Sequence, residues 1–184
     1  MLFFMVVSVS RFMVRILILF LENFEKMYRT ADDILARMET SGCRKLFEES
    51  VSKGSVVHGD YNYHNLIMLR DDIAVTDFEH MHTDIQIKDF CYFLRKAMEK
   101  NQWKQKTGQK ILEAYEEVRP LSEREKEFAA LSLAYPGKFK KIAGSYYRSN
   151  KAHLSEKNVE KLQICIRQTE EKYEFLSRIF PLNL

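Results

Sequence analysis

This 184-residue sequence has few cysteines, few glycines and a small net charge. The cysteines and the charge each argue against particular classes of protein. Cys43, Cys91 and Cys165 are odd in number, lie far apart and form no CxxC pair. This pattern argues against a disulfide framework and against a zinc site, and it suits a reducing compartment such as the cytoplasm. The formal net charge of +3 is too small to indicate a nucleic-acid partner.

The sequence also lacks an uninterrupted apolar run long enough to cross a membrane. Residues 1–21, MLFFMVVSVSRFMVRILILFL, are apolar, but Arg11 and Arg15 interrupt them, and a charge at the centre of a bilayer is costly. A signal peptide would place its positive residues first and end at a small-residue cleavage site. We therefore separate residues 1–20, an apolar N-terminal segment, from a domain at residues 21–184. We favour a buried element or a chain end without its natural context over a membrane or export segment.

Apolar residues recur at helical spacing over most of the chain and alternate only around residues 55–78. Short strands are predicted for SVVH, NLIML and IAVTDF, and the last two form a hairpin across the turn RDD. Ser122 and Glu125 form a capping box for a later helix, and Ser155 opens a long final helix. The predicted fold class is therefore α+β, mostly α, with one short β hairpin from about Leu66 to Phe78. Other helices are predicted at residues 22–38 and 45–51, after Ile85 with an apolar face from Ile87 to Met98, over ILEAYEEV up to Pro120, and over KFKKIAGSYY.

The segment HGDYNYHN, residues 58–65, contains the side chains that phosphoryl transfer to a hydroxyl requires. Such a site needs a carboxylate to orient the hydroxyl and accept its proton, together with an amide oxygen and a second carboxylate for Mg²⁺. Asp60 and Asn65 lie in this segment, and Asp77 follows across the predicted hairpin. Because a hairpin returns the chain to its start, we expect Asp77 to face Asn65 closely enough to share a metal ion.

HGDxxxxN followed by VTDFE resembles the C-terminal lobe of the aminoglycoside phosphotransferase and choline kinase superfamily. The resemblance implies a protein-kinase-like C-terminal lobe that uses ATP and Mg²⁺. It also implies that Asp60 is the catalytic base, that Asn65 and Asp77 are the metal ligands, and that His58 and Gly59 shape the catalytic loop.

Longer stretches are similar to the bacterial spore coat protein S (CotS) family, a kinase-like branch of that superfamily. They include VTDFEHMHTDIQIKDFCYFLRKAMEK and LAYPGKFKKIAGSYYRSNKAHLSEKNVEKL, and the resemblance covers roughly residues 20–180. It implies either a phosphotransferase acting on a small-molecule or saccharide hydroxyl, or a non-catalytic structural or interaction protein of the spore coat. The expected location is the cytoplasm or the spore coat, and the expected partners are the acceptor and other coat proteins.

Several nearby residues have competing structural interpretations. Asp89 lies where the superfamily has an aspartate that braces the catalytic loop, and helix N-capping would also explain it. Glu79 is either an acid beside the metal site or an exposed strand end. The remaining histidines of this region are better interpreted as polar loop residues than as metal ligands. They are His64, His80 and His82.

The features of a kinase N-terminal lobe are not found before residue 55. No glycine-rich run occurs there, and no lysine lies in a strand-like context. We therefore expect the N-terminal lobe to be absent, Mg-ATP binding to be weak or undetectable, and an exposed apolar face to cause self-association. Three explanations stay open: a truncated or mis-started sequence, a natural degenerate relative, or completion by a second chain. The intact set of Asp60, Asn65 and Asp77 favours the first.

Overall fold

The computed structural model describes the backbone of residues 2–148 and 156–180, and the side chains of residues 14–145 and 157–180. Over this part of the chain, helices dominate and the strands are short. The helices are α1 (Leu2–Thr40), α2 (Cys43–Ser52), α3 (Ile87–Lys100), α4 (Gln105–Val118), α5 (Glu123–Ala134), α6 (Gly137–Arg148) and α7 (Glu156–Ile179). The strands are β1 (Val56–Val57), β2 (Leu66–Met68), β3 (Ile73–Val75) and β4 (His82–Thr83). Two single-turn 3₁₀ helices are formed by Tyr63–Asn65 and Phe78–His80.

The chain divides into two compact units. The first contains Met1–Ile34 and Tyr135–Glu170, and the second contains Leu35–Ala134 and Glu171–Leu184. In the first unit, Met27, Phe139 and Leu162 form a buried cluster. The rings of Phe20 and Phe139 stack beside it with their centroids 5.5 Å apart. The candidate site lies wholly within the second unit.

The core of the second unit is helical. Helix α3 packs against α4 and α5, and α2 packs against α5. The apolar face predicted for α3 is buried at Leu94 and Met98, whose side chains have no exposed surface. Gly108 of α4 permits close packing of Phe175, because a Cβ at this position would lie 2.3 Å from the Phe175 ring. The core thus fixes α3, which supplies one wall of the candidate site.

The predicted hairpin is confirmed. Strands β2 and β3 pair antiparallel, with Leu66 opposite Val75 and Met68 opposite Ile73. The strand predicted over IAVTDF is too long, because β3 ends at Val75. Asp77 then adopts left-handed backbone angles, which a strand cannot accommodate. A second antiparallel pair, β1 with β4, was not predicted; it joins the start of the candidate loop to the segment that precedes α3.

The helices predicted for the rest of the chain are observed, with one main difference at the N-terminus. Helix α1 begins at Leu2 and continues through the helix predicted at residues 22–38, so the backbone has no break near residue 20. Among the described residues, no helix is long and apolar enough to cross a membrane. The capping box is present: the Ser122 amide donates to Glu125 Oε2 at 3.0 Å, and the Glu125 amide donates to Ser122 Oγ at 3.3 Å. The predicted cap at Ser155 lies outside the described residues.

Candidate functional site

Asp60 and Asn65 are brought together by a tight loop between β1 and β2. Asn62 caps the 3₁₀ turn by accepting a hydrogen bond from the His64 amide at 3.0 Å, and this turn presents Asn65. The Asn65 Nδ2 group donates to the backbone carbonyl of Asp60 at 2.9 Å and to its carboxylate at 3.1 Å. The Nδ2 group of Asn65 is therefore committed to Asp60, while Oδ1 has no hydrogen-bond partner among the described residues.

His58 connects this loop to the end of β3. Its side chain is buried, and the Asp60 amide donates to His58 Nδ1 at 3.2 Å. Since Nδ1 accepts, the proton lies on Nε2, which donates to the Thr76 carbonyl at 2.9 Å. His58 therefore connects the segment that carries Asp60 to the segment that carries Asp77, and the two hydrogen bonds require the tautomer protonated on Nε2.

Gly59 is required both by its backbone angles and by its surroundings. Its φ is +80°, in the left-handed region that disfavours side chains. A Cβ at this position would lie 2.3 Å from the His80 carbonyl oxygen. The absence of a side chain at Gly59 therefore lets the second 3₁₀ turn close over the loop.

Asp89 holds the backbone of the same loop. Its carboxylate accepts hydrogen bonds from the His58 amide at 2.6 Å and the Gly59 amide at 3.0 Å. The alternative that Asp89 is a helix N-cap is wrong, because Gln86 occupies that position and Asp89 lies in the first turn of α3. Both carboxylate oxygens are used on the loop, which leaves Asp89 a structural rather than a ligand-binding role.

Asp77 lies two residues beyond the end of β3, with φ of +69° and ψ of +57°. The Thr76 amide donates to the Asn65 carbonyl at 3.0 Å, so the segment that carries Asp77 runs beside Asn65. The Asp77 carboxylate is exposed, and among the described residues it has no hydrogen bond or ion pair that would compete for a ligand. A strained backbone at an exposed, unpaired acid is typical of a functional position.

Tyr92 was missed by the sequence analysis and lies in the site. The Tyr92 hydroxyl, in α3, hydrogen-bonds the Asp60 carboxylate and is the main cause that lowers the pKa of this carboxyl below its ordinary value. Asn65 and the positive charge of Lys96 lower this pKa further. Burial, and then Asp60 itself, raise the pKa of the Tyr92 hydroxyl. Asp60 is therefore held ionised, with a hydroxyl donor on one side and an amide donor on the other.

The other residues considered from the sequence have no ligand-binding arrangement. Glu79 lies in the second 3₁₀ turn rather than at a strand end, and its exposed carboxylate is 3.9 Å from His80 Nε2. His82 Nε2 lies 3.3 Å from the buried Asp84 carboxylate. In the described part of the chain, no three His, Cys, Asp or Glu side chains are placed to hold a metal ion. The candidate metal ligands are one amide and one carboxylate, Asn65 and Asp77, so they do not form a group of this kind.

The hairpin beside the site exposes apolar side chains. Met68 is 73% exposed, and five neighbours are each at least half exposed. They are Ile67, Leu69, Ile73, Phe78 and Met81. An exposed apolar face was expected from the sequence. The self-association expected from it stays a prediction.

The comparison with protein families decides the kinship of this chain. Residues 40–179 match a family described as "Spore coat putative kinase YutH". The chain belongs to this family. The kinship inferred from HGDYNYHN and the longer stretches is thereby confirmed.

One relative of known identity and one solved structure are similar to this chain, and the solved structure bears on the fold alone. Spore coat protein S of Bacillus subtilis (strain 168) is 26% identical over 162 residues, which cover 87% of this chain and 46% of that protein. The crystal structure of an aminoglycoside phosphotransferase from Alicyclobacillus acidocaldarius matches with a TM-score of 0.78 at 22% identity. This match covers 87% of this chain and 48% of the other. The kinase-like fold is confirmed, and the chain spans about half the length of both proteins.

Proposed function

We propose that this chain carries the acceptor-activating and metal-binding residues of an ATP- and Mg²⁺-dependent phosphotransferase. The acceptor is the hydroxyl of a small molecule or saccharide. One observation carries the proposal: the Asn65 Nδ2 group donates to the Asp60 carbonyl at 2.9 Å and to the Asp60 carboxylate at 3.1 Å, which fixes the proposed base and leaves Asn65 Oδ1 uncommitted among the described residues. A loop with a purely structural task would not need Asp77 exposed, unpaired and in the left-handed region nearby.

The donor set fits Mg²⁺, which binds oxygen ligands and few protein groups. Asn65 Oδ1 and the Asp77 carboxylate would hold it, because the Nδ2 group of Asn65 is committed to Asp60 and Asp77 has no partner among the described residues. When bound, the ion would neutralise charge on the phosphates of ATP.

Asp60 would act on the acceptor. Its carboxylate accepts the hydrogen bond of the acceptor hydroxyl and orients the oxygen toward the γ-phosphorus of ATP. As the new oxygen–phosphorus bond forms and the bond to ADP breaks, the hydroxyl proton passes to Asp60. The low pKa of Asp60 keeps the carboxylate ionised and ready to accept this hydrogen bond over a wide pH range. Tyr92 and Asn65 hold the carboxylate in place, and His58 and Asp89 hold its backbone.

The metal site can be tested on the 184-residue chain by itself. Mn²⁺, added alone, should broaden the NMR signals of Asn65 and Asp77 before those of other residues. Asp77→Asn should weaken this effect, while Asp71→Asn, in the exposed turn of the hairpin, should not. Equal broadening in both variants would contradict the assignment of Asp77.

The proposed role of Asp60 as the base can be tested by measuring turnover, both in this chain and in a longer protein that contains this chain. Asp60→Asn should lower ATP-dependent phosphorylation of the acceptor by about 10²–10⁴-fold and leave Mn²⁺ binding nearly unchanged. Unchanged turnover in Asp60→Asn would exclude the base. A protein with neither turnover nor metal binding would instead fit a non-catalytic coat component.

We also propose the spore coat as the location, since both the matching family and the B. subtilis relative are named for it. Extraction of spore coats followed by immunodetection of this chain tests the location. Recovery only in the cytoplasmic fraction would contradict it.

A further inference from the structure

Two lysines of α3 lie along the loop that carries Asp60, and within the described part of the chain neither of them forms a salt bridge. Lys96 and Lys100 are one helical turn apart, so their side chains share one face of the helix. Lys96 Nζ lies 5.4 Å from the centroid of the Tyr92 ring, and Lys100 Nζ lies 4.8 Å from that of Tyr63. Among the described residues, neither lysine has a carboxylate within salt-bridge distance. We call Lys96 and Lys100 the α3 lysine pair.

The position of the α3 lysine pair is set by aromatic rings that belong to the site. Tyr92 hydrogen-bonds Asp60, and Lys96 contacts the face of the Tyr92 ring. Tyr63 lies in the 3₁₀ turn that presents Asn65, and Lys100 contacts the face of the Tyr63 ring. A neutral aromatic ring attracts a cation held over its face but does not neutralise the positive charge. Lys96 therefore lies near the proposed base Asp60, and Lys100 lies beside the turn that presents Asn65.

The surrounding charges favour an anion at this face. Arg95 also contacts the Tyr92 ring, at 5.0 Å, but it is paired with Glu99 at 3.2 Å, and these two charges cancel. Lys96 acts electrostatically on the Asp60 carboxylate, which would hold the acceptor hydroxyl. An anionic group elsewhere on the same acceptor would meet the ammonium groups of Lys96 and Lys100.

We propose that the α3 lysine pair binds the anionic group of the acceptor, and that the acceptor is a hydroxylated phosphate ester such as a sugar phosphate. This inference rests on the proposed function, because it takes Asp60 as the group that meets the acceptor hydroxyl. The proposed acceptor is an anion. The enzyme in the matching crystal structure is named for aminoglycosides, which are polycations. Two ammonium groups one turn apart suit the several oxygens of a phosphate monoester.

The test is direct binding to the 184-residue chain, which requires no turnover. Glucose 6-phosphate and glucose are titrated against the labelled chain by NMR, with glucuronate as a carboxylate comparison and kanamycin as a polycation. Glucose 6-phosphate should bind at least about tenfold more tightly than glucose, a difference of about 1.4 kcal/mol. Its affinity should fall as salt rises, because exposed charges are screened. Tighter binding of glucuronate than of glucose 6-phosphate would show that the site prefers a carboxylate to a phosphate, and it would overturn the proposal.

Variants locate the effect. The double substitution Lys96→Met with Lys100→Met should reduce the preference for glucose 6-phosphate over glucose to near one, while Lys106→Met, an exposed lysine of α4, should leave it unchanged. Equal affinity for the two sugars in the original chain, no binding of either, or tighter binding of kanamycin overturns the inference. These outcomes do not depend on Asp60→Asn turnover or on Mn²⁺ broadening, so the inference and the proposed function can fail separately.

Discussion

Asn65 Nδ2 donates to both the backbone carbonyl and the carboxylate of Asp60, at 2.9 Å and 3.1 Å. One amide group thus fixes the backbone and the side chain of the proposed base. The same pair of hydrogen bonds determines which end of Asn65 is free, because Nδ2 is committed and Oδ1 is not. Orientation of the base and ligation of a metal ion are therefore combined in one side chain, and substitutions can separate them.

Asn65→Asp should separate orientation from ligation. The substitution removes the Nδ2 donor and places a second carboxylate beside Asp60, so the pKa of Asp60 should rise. An oxygen remains for the metal, and Mn²⁺ broadening near Asp77 should persist. Asn65→Ala should lose the broadening. Carboxyl NMR titration and Mn²⁺ titration of the two variants measure these effects, and loss of Mn²⁺ broadening in Asn65→Asp would contradict the role of Oδ1.

Tyr92→Phe should raise the pKa of Asp60. The Tyr92 hydroxyl is the main cause that holds this pKa low, so its removal stabilises the protonated carboxyl relative to the ionised one. The acid limb of a pH–activity profile should move to higher pH together with this pKa. Tyr63→Phe is the matched control, because Tyr63 contacts Lys100 through its ring and not through its hydroxyl. If both variants titrate like the original chain, Tyr92 does not act on Asp60.

Gly59→Ala should destabilise the protein more than Gly54→Ala does. Both glycines have positive φ, +80° and +67°, so each substitution carries a backbone cost of about 1–2 kcal/mol. Only at Gly59 would the new Cβ collide with the His80 carbonyl, whereas nothing lies within 4 Å of a Cβ at Gly54. The difference between the unfolding free energies of the two variants, measured with urea, gives the cost of the collision with His80. Equal losses of unfolding free energy would show that the second 3₁₀ turn moves away without cost.

The main architecture of the site was predictable from the sequence because its signals are local. The hairpin follows from alternating residues on either side of RDD, and Asp60 and Asn65 are five positions apart. Contacts between distant segments were not predictable. Tyr92 reaches Asp60 across 32 positions, and β1 pairs with β4 through strands of only two residues, too short to show a period. The left-handed backbone of Asp77 leaves no periodic signal in the sequence, so the alternation before it predicts a strand that extends through Asp77.

Asp89→Asn should loosen the loop that carries Asp60 without disturbing α3. The carboxylate accepts from two loop amides, and hydrogen bonds to a charged acceptor contribute about 1.5–3 kcal/mol each. An amide side chain offers one acceptor oxygen in place of two, so about one such contribution should be lost. Hydrogen exchange of the His58 and Gly59 amides should accelerate while the amides of α3 keep their protection. Asp71→Asn is the control, and unchanged exchange at both loop amides would contradict the bracing role.

Glu125→Gln should lower stability in a pH-dependent way. Burial by itself would raise the pKa of Glu125, but hydrogen bonds from the Ser122 amide, Arg119 and the Ser122 hydroxyl outweigh it and lower the pKa below its ordinary value. A carboxyl whose pKa is lower in the folded state stabilises that state fully above the unfolded pKa, about 4.3. This stabilisation is lost as pH falls through the lower, folded pKa. At pH 7 the variant should therefore be less stable by about 1–3 kcal/mol, and the difference should shrink below about pH 4.

Urea unfolding at a series of pH values measures the Glu125 effect. Glu117→Gln is the matched control, since Glu117 is exposed on α4 and has no partner among the described residues. Its stability should follow that of the original chain at every pH. Because Glu125 lies in the second unit, at the start of α5, the loss should appear as a lower midpoint for the unit that contains Asp60. A difference between Glu125→Gln and the original chain that stays constant from pH 7 to pH 3 would show that the carboxylate charge contributes nothing. The capping box would then stabilise α5 through geometry that glutamine reproduces in part.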